Sequence, residues 1–134
     1  GIPDNIMKTL ILDIKFNEKY FERVIHHEVF HIINDTFKEI FDENTWSSFN
    51  PKEFNYAECS TCTKKIGLET YSNPNGFITE YSQSTASEDM AEVFSHLMYG
   101  SLPNKIDPIL KKKIEFIKNA LLKIDGNFIL WLKR

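Results

Sequence analysis

Residues 27–31 read His27-Glu28-Val29-Phe30-His31 and lie within an apolar-periodic stretch that predicts an α-helix. On such a helix, positions four apart lie one turn above each other on the same face, so His27 and His31 can present two imidazoles to one metal ion. Glu28 lies beside them and can hold a water molecule bound to that metal. A zinc ion that activates water usually has three protein ligands and an open fourth position, so the motif predicts a further His, Glu or Asp ligand elsewhere in the chain.

A second helical pattern, at residues 87–99, offers two candidates for the third ligand. Glu88 and Glu92 share one face of this helix, and its apolar stripe consists of Met90, Val93, Phe94 and Leu97. One glutamate can complete a two-His, one-Glu zinc site, and the other can then accept the second ring N–H of a ligand histidine. The spacing alone does not rank the two.

Residues 81–94 resemble the region that follows the zinc helix in gluzincin-type zinc metallopeptidases, such as the anthrax lethal factor catalytic domain and small bacterial zinc-binding metallopeptidases. In those proteins a tyrosine lies seven residues before the glutamate ligand, and an Ala-Glu pair follows three and four residues after it. The matching residues here are Tyr81, Glu88, Ala91 and Glu92. The resemblance covers two blocks, residues 21–34 and 76–98, and little likeness extends over residues 35–75.

The resemblance implies an α+β, zincin-like fold. In this fold a small sheet packs on the long motif helix, a second helix carries the glutamate ligand, and a C-terminal helix follows. One zinc ion per chain is then bound by His27, His31 and Glu88, while Glu92 holds a ligand histidine in place. Tyr81 is implied to donate a hydrogen bond to the substrate oxygen as the tetrahedral intermediate forms.

Taken together, these features predict a zinc-dependent metallopeptidase that acts on a peptide or protein. Zinc would polarise the scissile carbonyl and lower the pKa of a water molecule, and Glu28 would act as general base and pass the proton to the leaving amine. The alternative from another class is a non-catalytic domain in which zinc only staples two helices and a protein partner binds elsewhere. Hydrolysis of a non-peptide amide is compatible with the same residues.

Several polar residues near the motif also have structural interpretations. His26 is rotated by about 100° from His27 on a helix, so it is interpreted as a non-ligand. His96 follows Glu92 by one turn and is expected to be a packed or surface residue, with contact to the cleft as the alternative. Tyr81 could instead be a half-buried packing residue, and Glu92 could simply be solvated.

The composition limits the remaining functional classes. With 134 residues, 42% hydrophobic content and eleven Phe, the chain is expected to form a single domain over residues 1–134. The net charge of −3 gives no basic surface for nucleic acid, and residues 111–113, three lysines, are expected to be the solvated face of a helix. No apolar run is long enough to span a bilayer and no secretory signal is visible, so no membrane association is predicted and the compartment stays open.

Cys59 and Cys62 form the sequence Cys59-Ser60-Thr61-Cys62. Two free thiols in a loop are the favoured interpretation. Half of a structural zinc site, a redox pair and a short disulfide are the alternatives. A redox enzyme is disfavoured because no strand-like run leads into Cys59 to open a βαβ unit.

The remaining patterns predict the order of the elements. We expect a strand at residues 6–14, the motif helix at 17–41, a loop-rich insertion at 42–71 and a β-leaning run at 77–81 that delivers Tyr81. A third helix is expected to open at Asp107-Pro108 and to end at Gly126. Thr85 or Ser87 should cap the second helix, and Gly100 should end it.

The aromatic residues of the insertion are expected to pack against the protein, with contact to substrate as the less favoured alternative. These residues are Trp46, Phe49, Phe54 and Tyr56. The apolar tail at residues 128–132 is expected to dock on the core or to cover a partner surface.

Overall fold

The computed structural model describes residues 2–4, 6–12 and 18–128, and this part of the chain is mostly helical. Its α-helices are α1 Glu18–Thr36, α2 Glu43–Ser47, α3 Ala86–Tyr99 and α4 Pro108–Ile124. Two short strands, β1 Ile2–Asp4 and β2 Thr9–Ile11, pair as an antiparallel hairpin. Single 3₁₀ turns lie at Ser60–Cys62 and Tyr81–Gln83.

The contact between α1 and α3 organises the core. Phe30 of α1 is fully buried, and its ring lies 5.2 Å from that of Phe94 in α3, measured between centroids. Helix α4 also packs against α3. The buried apolar set continues with Phe41, Trp46, Ile78, Met90, Val93, Leu110, Ile117 and Leu121. This packing holds the motif helix against the helix that carries Glu88 and Glu92.

Capping residues fix the ends of α3 and α4. The side chain of Thr85 accepts the backbone N–H of Glu88 at 3.2 Å, which confirms one of the two predicted caps. Gly100 ends α3 in the left-handed region, at a φ of 75° that glycine adopts without strain. Asp107 caps α4, with Pro108 in the first turn, so the predicted start of the third helix is also confirmed.

The strand predicted at residues 6–14 is wrong for residues 6–8 and 12. Only Thr9–Ile11 is extended, because the chain reverses after Asp4, whose carboxylate accepts the backbone N–H of Ile6 at 3.0 Å. Lys8 then adopts a positive φ of 53°. Ile6 is 91% exposed, so this apolar run does not enter the core. The last residues of the predicted strand lie outside the described part of the chain.

The expected sheet is therefore reduced, within the described residues, to the hairpin whose strand β1 contacts α1. The β-leaning run predicted at residues 77–81 is not a strand. Thr79 and Ser82 each accept the other's backbone N–H through their side-chain oxygens, at 3.1 and 3.3 Å, and this closes the chain into a turn. Helix α1 ends at Thr36 instead of residue 41, and its predicted first residue lies outside the described part.

The insertion at residues 42–71 is largely irregular, as predicted, apart from α2 and one 3₁₀ turn. Its aromatic residues pack against the protein. Trp46 is fully buried, Phe49 and Tyr56 pack against the core, and the Phe54 ring lies 4.5 Å from that of Phe77. The insertion is therefore anchored by its own aromatic side chains.

The prediction of free thiols is wrong, because Cys59 and Cys62 form a disulfide bond. The 3₁₀ turn between them brings their Cα atoms to 5.2 Å, which is within the range that a disulfide requires.

The interpretation of residues 111–113 as a solvated face is wrong for Lys113. Lys111 and Lys112 are exposed, whereas Lys113 is fully buried. Its ammonium group donates to a carboxylate oxygen of Asp89 at 2.6 Å and to the carbonyl of Gly76 at 2.8 Å. The run of three lysines does not reveal that Lys113 is buried, because a buried lysine needs a polar partner and the partners of Lys113 are distant in the sequence.

At the end of the chain, Phe128 packs partly buried against the core, and the rest of the predicted tail lies outside the described residues. None of the described helices has both the length and the apolar character needed to cross a membrane.

Candidate metal centre

Helices α1 and α3 bring the side chains of His27, His31 and Glu88 together. The Nε2 atoms of the two histidines are 3.2 Å apart, and they lie 2.9 and 3.2 Å from Oε2 of Glu88. Zinc binds nitrogen and oxygen at about 2.0–2.2 Å, and tetrahedral coordination then places two ligand atoms about 3.3 Å apart. The three atoms therefore have the chemistry and the mutual spacing of one face of a zinc site.

The hydrogen bonds of His27 fix the ring nitrogen that faces this group. Its Nδ1 donates to Oε1 of Glu92 at 2.9 Å, so in the neutral imidazole it is Nε2 that presents a lone pair to Glu88 and His31. A ring nitrogen and a carboxylate oxygen at 2.9 Å repel unless a proton or a cation lies between them. This arrangement suits a cation.

In the absence of a cation, a proton lies between His27 and Glu88 at neutral pH. Burial alone lowers the pKa of His27, but hydrogen bonds and charges from Glu88 and Glu92 outweigh it and raise the pKa to about 9. Burial favours the neutral form of Glu88, yet His27 and His31 hold its pKa well below the usual range. Negative charge is therefore concentrated beside the two imidazoles.

Arg23 and Thr79 hold Glu92 in position, and the sequence interpretation missed both. Arg23 lies one turn before His27 on α1, and its Nη1 donates to both oxygens of Glu92 at 2.9 and 3.0 Å. The Thr79 hydroxyl donates to Oε2 of Glu92 at 2.9 Å. Glu92 is only 1% exposed, so the alternative that it is solvated is wrong. Arg23 could have been found from its position, because it lies four residues before His27 and therefore on the same face of helix α1.

Ser87 has a comparable relation to the second histidine. Its hydroxyl lies 3.3 Å from Nδ1 of His31, and the side-chain amide of Asn34 donates to the same hydroxyl at 3.3 Å. These contacts orient the His31 ring from the side opposite to Nε2.

We expect the Arg23→Met variant to bind zinc about tenfold more weakly than the unaltered protein, because loss of an outer hydrogen-bonding partner costs 10- to 100-fold in metal affinity. Competition with a chromophoric chelator measures this. Arg23→Lys should recover part of the affinity, since it restores a cation beside Glu92. The matched control is Glu22→Gln, at an exposed position on the same helix. Equal affinity of the Met variant and the control would contradict the role of Arg23.

Glu28 and Tyr81 line the same cavity as the three candidate ligands, a cleft of about 500 Å³. The Tyr81 ring lies 5.9 Å from the His27 ring, measured between centroids. Burial and the negative charge of Glu88 raise the pKa of Tyr81, so its hydroxyl keeps its proton at neutral pH. The cleft thus contains a carboxylate and a hydrogen-bond donor beside the ligand group.

His26 and His96 are outside this group. His26 lies edge-on to Phe94, and burial lowers its pKa. His96 is buried, and its Nδ1 lies 3.0 and 2.8 Å from the carbonyl and hydroxyl oxygens of Ser101, just beyond the end of α3. Its Nε2 is 3.8 Å from Glu92. His96 is therefore a packed residue behind the site, as expected.

Comparison with known protein families gives a match over residues 5–125. No curated protein and no solved structure gives a significant match. The matched residues include both histidines of the motif and the helix that carries Glu88 and Glu92. Because the match covers most of the chain, the protein belongs to the family described as putative zinc-binding metallo-peptidases.

Proposed function

We propose that this protein is a gluzincin-type zinc peptidase that hydrolyses peptide bonds in a peptide or protein. The observation that carries the proposal is the convergence of His27, His31 and Glu88, with ligand atoms 2.9–3.2 Å apart, in a cleft that also contains Glu28 and Tyr81. Membership of the family described as putative zinc-binding metallo-peptidases supports it. The proposed ligands are these three residues, with one zinc ion per chain.

In the proposed mechanism, bound zinc supplies the Lewis acidity that polarises the scissile carbonyl and lowers the pKa of water. Glu28 accepts the proton of the attacking water and delivers it to the leaving amine. The Tyr81 hydroxyl donates a hydrogen bond to the carbonyl oxygen of the substrate as negative charge develops there. Glu92 accepts a hydrogen bond from Nδ1–H of His27 and so keeps Nε2 available.

The zinc content of the purified chain tests the ligand assignment without knowledge of the substrate. We expect about one zinc per chain in the unaltered protein and almost none in Glu88→Ala, because two histidines alone bind zinc weakly. Glu92→Ala should still take up one zinc at saturating metal, since it removes only an outer hydrogen-bonding partner. The assignment of Glu88 would be contradicted if both variants lost zinc equally. It would also be contradicted if Glu88→Ala kept its full zinc content.

Zinc removal should also destabilise the chain, because the proposed ligands join α1 to α3. At free zinc 100 times above its Kd, binding contributes about 2.7 kcal/mol to the free energy of unfolding. A chelator should therefore lower the midpoint of thermal unfolding, and added zinc should restore it. The same experiment on Glu88→Ala is the control, and we expect little response to the chelator there.

The alternative, a zinc-stapled interaction domain without catalysis, predicts the same zinc content and the same chelator effect. Hydrolysis distinguishes this alternative from the proposed peptidase, because a zinc ion that only joins two helices does not require a general base such as Glu28. Zinc-dependent cleavage of a peptide mixture that Glu28→Gln abolishes would exclude it. A zinc-loaded chain that leaves every peptide of the mixture intact would favour it.

A further inference from the structure

A second cavity of about 230 Å³ lies beside the proposed catalytic residues. It shares His27, Glu28 and Tyr81 with the metal cleft, so it opens next to the position where a substrate bond would be cleaved. Its apolar wall consists of Val24 of α1 and of Ile66 and Leu68 from the insertion. Binding sites for drug-sized molecules occupy about 300–1,000 Å³, so this smaller space suits one side chain.

Hydrogen bonds to Glu80 and Tyr81 hold the part of the insertion that lines this cavity in place. The backbone N–H groups of Ile66 and Gly67 donate to Oε1 of Glu80 at 3.1 and 3.3 Å. The carbonyl of Gly67 accepts the backbone N–H of Tyr81 at 3.0 Å. A Cβ atom at Gly67 would lie only 3.3 Å from Cβ of Glu80, so glycine permits this close approach.

The residue after Leu68 is also anchored, because Glu69 accepts a hydrogen bond from the hydroxyl of Tyr20 on α1. Leu68 thus lies between Gly67, which is hydrogen-bonded to Tyr81, and Glu69, which is hydrogen-bonded to the motif helix. A wall held on both sides is pre-formed, and a pre-formed pocket loses little binding energy to ordering.

Ile66 is 70% exposed at this wall, although isoleucine is usually buried in folded proteins. Ile66 and Leu68 together form an apolar surface beside Glu28 that is accessible to solvent. An accessible apolar surface next to a cleft is typical of a binding site. Three charged groups line the cavity, and two of them, Arg23 and Glu92, are paired at 2.9 Å. This pair therefore does not favour a charged side chain, and the third group, the carboxylate of Glu28, disfavours Asp and Glu.

We propose that this cavity binds an apolar side chain, of the size of Leu, Ile, Met or Phe, that belongs to a substrate residue next to the cleaved bond. Ile66 and Leu68 are then specificity-determining residues, and Glu80 is a positioning residue that acts through the backbone of the insertion. This inference rests on the proposed peptidase function.

The test uses the zinc-loaded full chain and a peptide mixture with randomised sequence, with the cleavage products identified by mass spectrometry. At one of the two positions that flank the cleaved bond, we expect apolar residues to be enriched about tenfold over Asp and Glu. Leu68→Lys should abolish this enrichment and favour Asp and Glu instead. Leu68→Ala, a milder change, should shift the preference toward Phe and Trp because it enlarges the cavity. The matched control is Ile106→Lys, at an exposed apolar residue between α3 and α4.

A second measurement does not depend on turnover. Glu28→Gln, loaded with zinc, should bind peptides with an apolar residue at the selected position more tightly than their Glu counterparts, and Leu68→Lys in the same background should reverse that order. Cleavage with no apolar preference at either flanking position, or with a preference for Lys and Arg, would overturn the subsite while the peptidase function stands. A zinc-loaded chain that neither cleaves nor binds any of the peptides would overturn the proposed function and the subsite with it.

Discussion

Glu28→Gln is expected to retain its zinc and to lose peptide hydrolysis by roughly 10²- to 10⁴-fold, the usual contribution of a general base. Glutamine has nearly the same shape as glutamate and still accepts hydrogen bonds, but it cannot take a proton from water at neutral pH. Glu28 lines the cleft beside His27 and His31 but is not one of the three candidate ligands, so zinc content should stay near that of the unaltered chain. The measurements are zinc per chain and the initial rate on a peptide that the unaltered protein cleaves.

Tyr81→Phe should show a smaller loss, of roughly 10²- to 10³-fold, because only one hydrogen-bond donor to the developing negative charge is removed. Glu22→Gln is the matched control for Glu28→Gln: it is the same substitution at an exposed position on the same helix, and its rate should be unchanged. A zinc-loaded Glu28→Gln protein with full activity would contradict the mechanism. An inactive variant that also lacks zinc would instead make Glu28 part of metal binding.

The parts of this site that could be predicted are those that a local pattern determines. A helix places His27 and His31 on one face by geometry alone, and the same periodicity indicated the face that carries Glu88 and Glu92. The choice between the two glutamates required either a resemblance or the structure. Glu88 lies within 3.2 Å of both imidazole Nε2 atoms, whereas Glu92 contacts the opposite nitrogen of His27.

The residues that were missed depend on partners distant in sequence. Arg23 acts on a glutamate 69 positions away, and Thr79 reaches that same glutamate from a turn. No local pattern reports such pairs. The strand error has a related origin. A run rich in apolar residues favoured an extended strand, but the side chain of Asp4 stabilises a reversal of the chain at the start of this run.

Asp89→Ala is expected to lower the free energy of unfolding by about 3–5 kcal/mol, the cost of leaving one charge of a buried pair without its partner. Asp89 and Lys113 are both fully buried and lie 2.6 Å apart. The same carboxylate oxygen accepts Trp46 Nε1–H at 2.9 Å and the Tyr56 hydroxyl at 2.6 Å. Asp89 therefore links α3 to α4, α2 and the insertion, and urea unfolding of the purified chain measures the loss.

Two comparisons isolate the cause. Glu115→Ala removes one partner of an exposed pair with Lys118 on α4, and it should change stability by no more than about 0.5 kcal/mol. Asp89→Ala with Lys113→Met removes both charges, so the double variant should be more stable than Asp89→Ala alone. If the double variant were less stable than the single one, the loss would come from packing and not from an unpaired charge.

The pH dependence of Asp89→Ala provides an independent check on Lys113. Burial lowers the pKa of Lys113, and Asp89 is the main group that opposes this shift. Without Asp89 the folded-state pKa should fall further below the unfolded value of about 10.4, so the unfolded chain binds more protons between the two values. Stability then rises with pH in that window, and the deficit of Asp89→Ala relative to the unaltered chain should shrink as the pH is raised from 7 toward 10. A deficit that stays constant over this range would mean that Lys113 gains water or another partner when Asp89 is removed.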